Sequence, residues 1–152
     1  MVDEALILRK LSQLEEYYKQ LKDYVSINSD DYSNDWKVQR IVERTLQMMI
    51  ETSVDITGHI IADKGYRTPT SYADSFKVLH EENIVDGVLL SDLEKMAKFR
   101  NIVVHSYDSI DAEIVVGILK NNLQDFISFR DSVIKFLKSQ KSQARNNRNL
   151  KV

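Results

Sequence analysis

The chain has 152 residues, one proline, four glycines and no cysteine. That length suits one domain with its own core, and the lack of cysteine excludes a disulfide framework or a thiolate metal site. The net charge of −2 hides an asymmetry: positions 1–137 hold 16 basic and 23 acidic residues, a net of −7, whereas positions 138–152 hold five basic residues and no acid. The opening MVDEALILRKLSQ, with Asp3 and Glu4 and a short apolar run, is unlike a secretory signal. No apolar run approaches the roughly 18 residues of a membrane span, so a cytoplasmic protein with no membrane contact is expected.

So little turn chemistry predicts long helices. In the first, from about Asp3 to Ile27, Leu6, Leu11, Leu14, Tyr18, Leu21 and Val25 recur at helical spacing. The cluster NSDDYSND breaks it and offers Ser33 or Asn34 as the next N-cap. A second helix runs from about Asp35 to Lys64 and stops at Gly65. Val42, Leu46, Met49, Ser53, Ile56 and Ile60 form one face, and Ile41, Met48 and Ile50 widen it beyond a single stripe. That width is a first hint of a homodimer. Trp36, near the start of this helix, is expected in the core or a dimer interface.

A loop around Pro69 leads to a short helix from Ser71, with Asp74 three residues on, to about Glu82. After a turn at Asp86-Gly87, a fourth helix extends from about Val88 to near His105. The segment SYDS ends it, and a fifth helix covers about Asp111 to Leu137. No strand pattern of useful length occurs. The architecture expected is an all-α bundle of four long helices and one short one over residues 1–137, followed by a basic, flexible tail over 138–152. The tail is either a solvated end or an arm that touches RNA phosphates or an acidic partner.

The segment FRNIVVHSYD, Phe99 to Asp108, carries the chemistry. On a helix Asn101 and His105 share a face, whereas Arg100 and His105 are about 140° apart in projection. The two therefore meet only if the helix ends near His105, or if both reach one ligand from different directions, with a second chain contributing. Arginine offers a permanent charge and a planar fork of donors that suits a phosphate, and histidine moves protons near neutrality. Together they suffice for metal-free cleavage of RNA by the ribose 2′-hydroxyl. Asn101 can bind a phosphate or orient the imidazole, and Tyr107 can do either or be modified. A lone histidine on a helix is, however, more often structural than catalytic. On the second helix Gln47, Glu51, Asp55 and His59 form a polar stripe at four-residue spacing. It is either a solvated face or a polar layer facing the motif helix, in which a carboxylate holds Arg100. A metal site on that stripe is a poor alternative, and His59 and His80 are not expected to be catalytic.

The pattern Arg100-Asn101-x-x-x-His105-x-Tyr107 resembles the signature of the HepT-like toxins, all-α ribonucleases of the HEPN superfamily. The second helix, with Glu43, Arg44, Leu46 and Gln47, is similar to that family's long helix, and DSIDAEIVVGILKNNLQDF to its last. The resemblance covers roughly residues 3–137. It implies a helical homodimer whose two Arg–His motifs line a cleft and cut RNA without metal or cofactor. Arg100 and His105 are then catalytic, with Asn101, Tyr107, Glu43, Arg44 and Gln47 in support. It also implies a nucleotidyltransferase antitoxin of the MntA type, which transfers AMP to Tyr107. A non-catalytic helical module that dimerises and binds such a partner is the alternative.

Overall fold

The computed structural model describes residues 2–150. Seven α-helices occur among them: α1 (Glu4–Leu21), α2 (Ser29–Ser33), α3 (Trp36–Lys64), α4 (Tyr72–Glu81), α5 (Gly87–His105), α6 (Ala112–Asn121) and α7 (Gln124–Leu150). There is no strand among the described residues, and no helix is long and apolar enough to cross a membrane.

α3 is the axis of the bundle. Its 29 residues span about 43 Å at 1.5 Å per residue, and it packs against α1, α2, α4, α5 and α7. This accounts for most of its wide apolar coverage. Ile50 is fully buried within the chain, and Ile41 alone among the extra apolar positions is exposed. The width of the stripe therefore reflects a central helix more than a dimer face. Ser53 and Thr57 are buried on α3 without strain on their hydroxyls, since each donates to the carbonyl four residues back.

Caps set the boundaries. Asp3, Asn28, Asp35, Ser71, Asp86 and Asp111 each place a side-chain oxygen on the first-turn N–H groups of the helix that follows. Gly65 ends α3 in the left-handed region (φ 67°), with Tyr66 N–H reaching back to the Ile61 carbonyl. Asn83 does the same after α4 (φ 61°), Ile84 N–H bonding to the Leu79 carbonyl. α4 and α5 consequently fold back on one another as a tight pair.

Three sequence expectations need correction. The first α-helix stops at Leu21 and continues only as a 3₁₀ turn over Lys22–Tyr24, and its core residue near the start is Ile7, not Leu6. The polar cluster after it is not all loop: Asn28 caps α2, which buries Tyr32, and the cap of α3 is Asp35 rather than Ser33 or Asn34. The expected fifth helix is two helices. Asn121-Asn122 favours side-chain bonding over helix continuation, and Asn122 donates its amide to Asp125 at the start of α7 while Leu123 turns into the core. α7 itself does not end at Leu137 but continues through the basic segment to Leu150, with Lys141 to Leu150 all exposed.

Candidate active site

α5 delivers the motif, and its end is set by the local sequence. After the β-branched run Ile102-Val103-Val104, Ser106 leaves the helix with extended backbone (φ −88°, ψ 116°), and its N–H bonds the Ile102 carbonyl. His105 is the last helical residue, and Tyr107 lies in the connection to α6 with 96% of its surface exposed. Asn101, Ile102, Val104 and His105 are exposed as well, so the last turn of α5 is uncovered on most of its circumference.

Arg100 lies at the edge of this turn and is held from three directions. Its Nε donates to Oε1 of Glu51 on α3 at 3.0 Å, and one terminal nitrogen stands 2.9 Å from the same oxygen as an ion pair. Gln47, one turn earlier on α3, donates to the same oxygen at 3.2 Å. The other terminal nitrogen makes a longer contact, 3.4 Å, with Oδ1 of Asn101. The guanidinium carbon stands 4.8 Å from the ring centre of Tyr72, the first residue of α4. Glu51 is thus the carboxylate that pins the cation. Tyr72 is a contributor that sequence reasoning missed: Ser71 announced a helix start there, but nothing in the spacing tied that start to Arg100.

An arginine side chain carries five N–H donors. Two make hydrogen bonds here, to Glu51 and Asn101, and a further terminal nitrogen is in ion-pair contact with Glu51, which leaves at least two for a ligand. A guanidinium restrained by a carboxylate, an aromatic face and a neighbouring amide loses less side-chain freedom on meeting a phosphate than a free one does. His105, by contrast, makes no side-chain hydrogen bond or ion pair among the described residues, and neither does Tyr107.

The remaining sequence candidates scatter. Glu43 makes no contact with Arg100 and instead accepts a hydrogen bond from the Tyr32 hydroxyl, which ties α2 to α3. Burial, then the Glu43 bond, pushes that phenol well above its ordinary pKa. Arg44 is exposed and has no partner among the described residues. The polar stripe divides: Gln47 and Glu51 face the motif, whereas Asp55 bonds Lys10 of α1 and lies 3.6 Å from His59. His80 contacts the Val85 carbonyl through Nδ1 at 2.9 Å, a turn-closing role. Trp36 is not in the core; it is 60% exposed, with Lys37 and Arg40 over its ring.

Comparison with known proteins matches the chain to a family. The model of the ribonuclease HepT-like family matches residues 14–133. The mRNA nuclease HepT of Shewanella oneidensis is 30% identical over 128 residues, covering 84% of this chain and 96% of that protein. The tRNA nuclease HepT of Aphanizomenon flos-aquae is 29% identical over 126 residues, covering 82% and 85%. Among solved structures, a tri-AMPylated Shewanella oneidensis HEPN toxin in complex with an MNT antitoxin superposes with a TM-score of 0.79 at 30% identity, over 89% of this chain and 99% of that one. A toxin–antitoxin crystal structure with AMP-PNP gives 0.80 at 29% identity, over 87% and 99%. The all-helical fold and the match across most of its length make this chain a member of the HepT-like ribonuclease family.

Proposed function

We propose that this chain is the ribonuclease toxin of a cytoplasmic toxin–antitoxin pair. It works as a homodimer, cuts RNA without a metal ion, and is silenced by an MntA-type nucleotidyltransferase that adds AMP to Tyr107. The observation that carries this reading is the contrast within one helix end: Arg100 is pinned with donors to spare, and His105 and Tyr107 stand open beside it.

In the reaction the ribose 2′ oxygen attacks phosphorus and the bond to the 5′ oxygen breaks. His105 moves the proton from the 2′-hydroxyl towards the departing 5′ oxygen, and the free N–H groups of Arg100 bind the non-bridging oxygens as charge builds on them. The products are a 2′,3′-cyclic phosphate and a 5′-hydroxyl. Asn101, on the same helix face as His105, positions the phosphate or the imidazole. Exposed Ile102, Val104 and Ile41 supply apolar surface for a second copy, which brings two such sites to one cleft.

AMP on Tyr107 adds a phosphodiester charge and a nucleoside two residues from His105. The charge competes for Arg100 and the bulk fills the cleft, so silencing needs no unfolding.

The test is incubation of the purified protein with RNA in EDTA. Cleavage that stops when the substrate is 2′-O-methylated, together with a dimer by sedimentation, is expected. Full-length RNA under all conditions would instead favour a non-catalytic binding module. Treatment with ATP, magnesium and the partner nucleotidyltransferase should place an AMP adduct on Tyr107 by mass spectrometry. An adduct elsewhere, or silencing of Tyr107→Phe, would overturn the regulatory half alone.

A further inference from the structure

The exposed end of α7 has no role in the site just described, and the family match stops at residue 133, before it begins. From Lys138 to Leu150 the helix holds four basic residues, no acid and only two apolar residues, Ala144 and Leu150. Lys138, Lys141, Arg145 and Arg148 fall at i, i+3, i+7 and i+10. On a helix of 3.6 residues per turn they lie within about 80° of arc, a single basic stripe. The base of the extension is fixed to the body: Lys64 donates to Gln140 at 2.7 Å, and Lys141 pairs with Glu4 at 2.9 Å. Lys138, Arg145 and Arg148 have no ion-pair partner among the described residues.

Such a helix is poorly explained by its own fold. Arg145 and Arg148 are like charges about one turn apart with no acid in the extension beside them, and only Lys141, through Glu4, is relieved by the body. With no apolar stripe, the extension cannot bury a face against another helix or lie in a membrane interface. What relieves a row of like cations is a polyanion. The body, meanwhile, carries a net of −7 over positions 1–137 and so repels one.

We propose that the α7 extension is an RNA-backbone arm, whose stripe Lys138–Lys141–Arg145–Arg148 binds phosphates and holds the substrate on an otherwise acidic protein. This rests on the ribonuclease reading only for the identity of the polyanion. The arm reads no bases: it supplies attraction and leaves the choice of bond to the site at the end of α5. RNA also neutralises the like-charge pairs, so binding raises the helicity of the extension.

The experiment measures affinity of the full-length protein for a 2′-O-methyl oligouridylate across a salt series, which does not depend on cleavage. Three proteins are compared: the parent, the fourfold variant Lys138→Gln, Lys141→Gln, Arg145→Gln and Arg148→Gln, and a charge-matched control with Lys19, Lys22, Lys77 and Lys120 each changed to glutamine. Each single-strand phosphate contact contributes about 0.7 to the slope of log K against log salt. The stripe variant should therefore lose a slope of about 3 and at least about 10-fold in affinity at low salt, and the control much less. Equal affinity and slope for parent and stripe variant would overturn the arm, as would an equal loss in the control. So would a stripe variant that keeps RNA affinity but loses binding to an acidic protein partner. If the oligonucleotide binds as expected while RNA stays intact in the cleavage assay, the arm stands and the nuclease reading falls.

Discussion

The two halves of the Arg100–His105 motif are built differently, although five residues separate them on one helix. Arg100 is half-buried and set between a carboxylate of α3, an aromatic ring of α4 and an amide of its own helix. His105 and Tyr107 project from the helix end with no side-chain hydrogen bond among the described residues. The difference suits the proposed division of labour. A phosphate-binding cation gains from being fixed before substrate arrives, because positioning lowers the entropic cost of reaching the transition state. A group that exchanges protons, or is itself modified, must stay accessible to RNA, to a second chain and to a transferase.

If this division is right, changes on the fixed half should grade with how much of the fixing they remove. Arg100→Lys keeps the charge but loses the planar fork, so cleavage should fall by about 10²–10³, the scale for losing a transition-state donor. The helical circular dichroism should be unchanged. Glu51→Ala leaves the guanidinium in place but unpinned, and a misplaced positioning group costs up to about 10² in rate. Since the pair is partly exposed, its effect on stability should stay within about 1 kcal/mol. A rate loss with unchanged melting temperature separates positioning from folding. Tyr72→Leu removes only the aromatic face, worth about 0.5–1 kcal/mol at an exposed site, and should cost a few-fold in rate.

The smallest effect lies on the opposite side of α4, where Arg67 bridges Asp74 and Glu81. Hydrogen bonds from Arg67 hold both carboxyl groups below their usual range. Their folded-state pKa values are lowered, so the clamp contributes stability above the unfolded carboxylate pKa of about 4. That contribution is lost as the pH falls through the folded values. The melting temperature of the parent should drop between about pH 4 and pH 2, and Asp74→Asn should flatten part of that drop. Cleavage at neutral pH should be indifferent to that change, because the clamp does not touch Arg100.

Much of this was legible in the sequence, for identifiable reasons. Long periodic segments, Gly65 and the Ser71–Asp74 pair gave α1, α3 and α4, because caps and a left-handed glycine are local chemistry. The four-residue spacing from Gln47 to Glu51 put the two on one face, since residues one turn apart share one, but left open whether that face was solvated or a polar layer facing Arg100; Glu51 takes the second role. The failures share a cause. α2 hides in a polar cluster whose one core residue, Tyr32, has no periodic neighbour. The break at Asn122 depends on Leu123 finding a core pocket, and the 140° offset of Arg100 from His105 cannot reveal that Glu51 and Tyr72 hold one and leave the other free. Such pairings are tertiary. Local spacing limits which residues can meet but does not choose among them.

The most direct test of the account is RNA cleavage by His105→Ala beside the parent, both purified and assayed in EDTA. The account predicts a loss of about 10²–10⁴ in rate, the span of general acid–base catalysis, with an unaltered melting temperature because His105 touches nothing the fold depends on. A His105→Ala protein that cuts RNA as fast as the parent would contradict it and remove the end of α5 as the site of chemistry.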